Sequence, residues 1–83
     1  MNLFHVTTPK KLSRYNASKR IIKPVRGFSN IEAAKEWARI TRRSIIVEFT
    51  ADDPHKLPDH HNKYGTAWWN DNDVKDFKIV YEE

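Results

Sequence analysis

The chain predicts a small single α+β domain over residues 1–83, with a largely antiparallel sheet of about four strands, one main helix (30–41) and a short helix (9–16). Three observations lead there. Short β-branched and apolar runs interleave with two stretches of helical spacing. Most of the connections are too short for parallel crossovers. At 83 residues a chain buries roughly 60–65% of its unfolded surface, which supports one small core and no deep interior cavity. A hydrophobic content of 39% with three Trp is enough for such a core and argues against disorder.

Asn2-Leu3-Phe4-His5-Val6 is a short apolar strand ended by Thr7-Thr8-Pro9. Thr8 before Pro9 has the form of an N-cap with proline at the first helical position. Leu12 and Tyr15 then share one face of the short helix. Ile21-Ile22 with Val25 suggests a second extended segment, bent or at an edge because Pro24 cannot donate to a ladder, and Arg26-Gly27-Phe28 reads as the turn out of it. Ser29 three residues before Glu32 has the spacing of a capping box, so the main helix starts there and buries Ile31, Ala34, Trp37, Ala38 and Thr41. Ser44 to Thr50 is the strongest strand segment and is expected to be central. Asp52 to Tyr64, with two prolines and no periodicity, reads as an ordered loop. Gly65 to Trp69 fits either a strand or a helical turn. Phe77, Ile79 and Tyr81 alternate onto one face of a last, half-buried strand.

Charge is uneven along the chain. Residues 1–44 hold eleven Lys/Arg against two Glu, whereas residues 45–83 hold four Lys against nine Asp/Glu, giving the net +4. Such a chain either neutralises itself on folding or presents a basic face to nucleic acid or to an acidic protein surface. Arg39, Arg42 and Arg43 cluster at the main helix's C-terminal end, where cations also oppose the helix dipole. Without cysteine, disulfides, thiolate metal sites and thiol catalysis are excluded. No apolar run reaches the length of a membrane span, and the N-terminus lacks a signal peptide's pattern, so a cytoplasmic protein with no membrane partner is expected.

Residues 53–62 concentrate His55, His60 and His61 with Asp53 and Asp59. Three of these converging would suit a divalent metal. Polar side chains bonding the loop's own backbone is the alternative we favour, with no metal assigned. Trp68 and Trp69 point to opposite sides of an extended backbone, so one covers the core and Trp69 is a candidate stacking residue. His5 stands alone in an apolar strand. No phosphate loop, nucleophile elbow or zinc-finger spacing occurs.

Phe4-His5-Val6-Thr7, the Ile22-Lys23-Pro24 segment, and an alanine-bearing helix beginning near Ser29 together resemble the opening of ADP-ribosyltransferase-like proteins, a group that includes RNA 2′-phosphotransferases. The resemblance covers residues 3–48. It implies that His5 alone takes a family role, holding the ribose of a nicotinamide dinucleotide; no cofactor is expected in the leading reading, and NAD, with Arg26 and the histidine loop, enters only in the enzyme alternative. No Glu stands in a recognisable catalytic motif near the C-terminus, so the leading expectation is a non-catalytic binding protein, of the kind made by phages and mobile elements, docking a basic face onto nucleic acid or a nucleic-acid-handling protein. The alternatives are a minimal ADP-ribosyltransferase-like enzyme or NAD-binding protein, and a metal-binding protein using the 53–61 loop.

Overall fold

A computed structural model describes residues 1–83. Its elements are β1 (Asn2–Thr7), α1 (Pro9–Ser18), β2 (Val25–Phe28), α2 (Ile31–Thr41), β3 (Ile45–Thr50), β4 (His55–Asn62), β5 (Gly65–Asn70) and β6 (Phe77–Glu82). The strands form one antiparallel sheet in the order β4-β5-β2-β1-β3-β6, which makes the domain α+β with six strands rather than about four. The two additional strands are β4, from a segment read as a loop, and β5, from one that fitted either a strand or a helical turn, while the second extended segment lies at 25–28 inside the sheet and Ile21 makes only an isolated bridge to Val74. β4 lies within 52–64 and pairs with β5, and Arg26-Gly27-Phe28 belongs to β2 rather than to a turn. β4 has no alternating apolar pattern because it is an edge strand that buries little, and its Pro58 falls where the ladder is interrupted.

The sheet divides the core in two. On one face Leu3, Val25, Ile45, Val47 and Phe49 pack with Leu12 of α1. On the other, Val6, Phe28, Ile46 and Ala67 pack with Ala33, Ala34 and Ala38 of α2. β3 is internal, between β1 and β6, as its β-branched run requires. A register shift between Ile46 and Val47 divides β6 between the faces, so that Phe77 joins the α1 cluster and Tyr81 the α2 cluster instead of sharing one face.

Both helices are closed by side chains and left-handed caps. Thr8 Oγ1 accepts from the Lys11 amide, and Lys19 at φ 59° caps α1 after Ser18, its last residue, two beyond the expected stop at 16. The cap of α2 is Asn30, not Ser29: Asn30 Oδ1 accepts from the amides of Glu32 at 2.7 Å and Ala33 at 3.2 Å. Asparagine wins because its carbonyl reaches the N2 and N3 donors from the residue adjacent to the helix. Asn30→Ala is therefore expected to cost about 1 kcal/mol and Ser29→Ala close to nothing, which paired thermal melts can check. The buried stripe of α2 consists of small residues, and Trp37 is 40% exposed rather than buried. Alanines let α2 approach the sheet closely, and the indole then projects sideways against Phe28, with ring centroids 6.4 Å apart.

Candidate functional site

β1 and β2 are in register at Phe4 opposite Phe28, and continued alternation would set Val6 opposite Arg26. There the sheet parts instead. The Arg26 carbonyl is bonded by His5 Nδ1 at 2.6 Å, and the Val6 carbonyl accepts from Arg43 Nη1 at 3.4 Å. Two side chains thus bond backbone oxygens from facing strands where the ladder stops. The cleft that results has a volume of about 700 Å³ and opens toward both helices. Such a volume lies within the range of small-molecule sites.

His5 forms the floor. A carbonyl only accepts, so the bond to Arg26 assigns the proton to His5 Nδ1 and leaves Nε2 as an acceptor. Tyr15 Oη donates to Nε2 at 3.2 Å and accepts from Thr7 Oγ1 at 3.5 Å. Burial, opposed by the bond to the Arg26 carbonyl and reinforced by the charges of Arg43, Lys11 and Arg26, holds the His5 pKa below its ordinary 6.5. The imidazole is therefore neutral in the folded protein near pH 7. Below about pH 6.5 the unfolded chain takes up this proton while the native chain resists it, so His5 lowers stability as the pH falls through 6.5 toward its folded pKa. Melts between pH 7.5 and 5.5 are expected to show a shallower decline for His5→Gln than for the parent, and equal slopes would contradict the assignment.

The walls divide by chemistry. Lys11, Arg14, Arg20, Arg26 and Arg43 supply five cations, and Asp59 is the one carboxylate among the lining residues. Ile22, Phe28, Trp37 and Ile40 supply the apolar wall, and three of these are exposed, Ile22 at 68%, Ile40 at 53% and Trp37 at 40%. Arg20 also reaches Asp73 at 3.4 Å, and the Lys23 amide donates to Asp73 Oδ1 at 2.8 Å, so this carboxylate ties down the rim segment. The Lys23 amide bond, more than the charge of Arg20, keeps the Asp73 carboxyl below the usual range.

The other expected site residues separate. Arg43 turns into the cleft, whereas Arg39 is paired with Glu36 through both its Nε and Nη2 and Arg42 stands exposed as the left-handed cap of α2. The three do not share one face. Within the histidine segment, β4 and β5 are in register at Leu57 opposite Ala67 and again at His61 opposite Thr66. Residues 58–60 therefore bulge out of the ladder, and Asp59, His60 and His61 border the cleft. His61 Nδ1 bonds the Pro58 carbonyl at 3.1 Å, which fits the backbone-bonding role. His55 lies at the far end of β4, 2.7 Å from Asp71. No three His, Asp or Glu side chains converge on a point that would hold a metal. Trp68 packs on the α1 cluster, while Trp69 is half-buried beneath the Arg26 guanidinium, 5.9 Å from the ring centroid.

Lys11 and Arg14 have the helical spacing of an ordinary solvated face and Tyr15 that of the apolar face it shares with Leu12, so none of the three is marked in the sequence as a site residue. The Thr8-Pro9 start of α1, which fixes where those side chains project, was the available signal. No family model, no curated protein and no solved structure matches this chain. No helix is long and apolar enough to cross a membrane.

Proposed function

We propose that the protein binds a phosphate-bearing nucleotide in the cleft between β1 and β2. The observation that carries this reading is the lining: five Lys/Arg side chains from α1, the 20–26 segment and Arg43 border the cleft with Asp59 as its one carboxylate, and of the five only Arg20 is paired with a carboxylate, Asp73 outside the lining. Guanidinium groups from different elements suit the several oxygens of a phosphate or pyrophosphate better than a single charge does. The exposed Trp37 indole, backed by Phe28, offers an apolar surface for a base, and a sugar hydroxyl would reach His5 Nε2 at the floor by displacing the Tyr15 hydroxyl. The resemblance of residues 3–48 to ADP-ribosyltransferase-like proteins supports the same placement, with NAD the first dinucleotide to test and His5 on its ribose. The reading is one of binding rather than transfer, and it moves the basic docking surface from the end of α2 into the cleft.

Titration followed by tryptophan fluorescence tests it. NAD, ATP and AMP are expected to bind and adenosine to bind at least tenfold more weakly, with affinities falling moderately between 50 and 200 mM salt, as screening of a few charges implies. Equal affinity for AMP and adenosine would remove the phosphate from the interaction and overturn the reading.

A further inference from the structure

Arg26 belongs to two places at once. It lines the cleft, and its guanidinium lies over Trp69 on the neighbouring strand, directly opposite it in the ladder. Phe28, two residues along β2, points to the same side of the sheet and carries Trp37 against it. Trp37 of α2, packed on Phe28, and Trp69 of β5, beneath Arg26, therefore flank the same stretch of β2, with a cation at one of them.

We propose that the ligand continues out of the cleft, so that the site receives one end of a single-stranded nucleic acid: the terminal nucleotide sits in the cleft against Trp37, and the next lies at the Arg26–Trp69 pair. This rests on the nucleotide reading above. Arg26 contacts the phosphate that joins the two nucleotides, and its guanidinium, supported from beneath by the Trp69 indole, takes the second base. Arginine planes and aromatic rings both stack on bases without regard to their identity, so little sequence preference is expected. The charge supports a polyanion, since the cleft holds five cations and the chain as a whole is +4. A peptide partner is the less favoured occupant because its carboxylates would match the cations but leave two indoles without flat partners.

The probes are AMP, tetra-adenylate as RNA and as DNA, and poly-glutamate. Tetra-adenylate of at least one sugar type is expected to bind about tenfold or more tighter than AMP, and the RNA and DNA arms show which sugar the site accepts. Trp69→Leu should remove most of that advantage without changing AMP affinity or the melting temperature, and Trp69→Phe should restore most of it. Tetra-adenylate no tighter than AMP, or an advantage that survives Trp69→Leu, overturns the proposal, as does poly-glutamate binding as tightly as tetra-adenylate. Failure of AMP to bind, with tetra-adenylate still dependent on Trp69, would overturn the cleft reading and leave the strand surface standing. Binding of none of the probes overturns both.

Discussion

Leu3→Ala is expected to remove about 3–5 kcal/mol of stability, the largest loss of any single truncation in this domain. Leu3 is completely buried at the centre of the α1-side cluster, on a strand paired with both β2 and β3. Diagonally across the ladder lies Gly27, where an added Cβ would stand 3.0 Å from the Leu3 Cβ and 3.2 Å from the Phe4 carbonyl oxygen. The strands are thus too close together for the surroundings to collapse into the space that leucine leaves, and the cavity term stays near its upper range. A chain of this length has a total stability of roughly 4–12 kcal/mol, so the variant should melt at least 12 °C lower or fail to fold at 37 °C. Ile79→Ala is the control: the residue is 44% exposed, and its truncation should cost about 0.5 kcal/mol or less. Similar melting temperatures for the two variants would show that the core is not arranged as described.

Reversing Arg14 and Arg43 to glutamate together is expected to weaken nucleotide binding more than 100-fold. The two arise from different elements, one on α1 and the other just beyond α2, and both line the cleft. A charge-assisted hydrogen bond to phosphate contributes about 1.5–3 kcal/mol, and reversal adds repulsion to the loss. Arg14 is exposed, so its replacement leaves packing alone. Arg43 also donates to the Val6 carbonyl, so Arg43→Gln serves as a companion variant that retains a donor while losing the charge. Binding of AMP within threefold of the parent by a double variant that still melts cooperatively would exclude the cleft as the phosphate site. Arg39→Glu belongs beside it as a comparison, because Arg39 is already paired with Glu36 outside the cleft and its reversal should leave nucleotide affinity unchanged.

What the sequence determined by itself lies in short-range chemistry. Thr8-Pro9 placed the start of α1, and the β-branched run 45–50 made an internal strand. The mixture of elements and short connections specified an antiparallel α+β domain, since hydrophobic periodicity and turn chemistry act over a few residues and need no knowledge of partners. The choice between Ser29 and Asn30 as the cap depended on a difference of one position, which spacing alone does not resolve.

Tertiary structure decided the rest. β4 carries no alternating pattern and becomes a strand only because β5 offers it a ladder, so its formation is a property of the pair and not of residues 55–62. Trp37 sits at a helical position that a stripe of apolar spacing would bury, but three small residues, Ala33, Ala34 and Ala38, take the sheet-facing side and leave the indole at the cleft. The site itself follows the same rule. His5, Tyr15, Arg26 and Arg43 are scattered over almost forty positions, and no local pattern marks them as a group. They meet because the sheet parts between β1 and β2, and the parting persists because a histidine and an arginine side chain bond the Arg26 and Val6 carbonyls on its two sides. Buried backbone groups must be paired somewhere, and only the folded chain determines which side chain is close enough to do it.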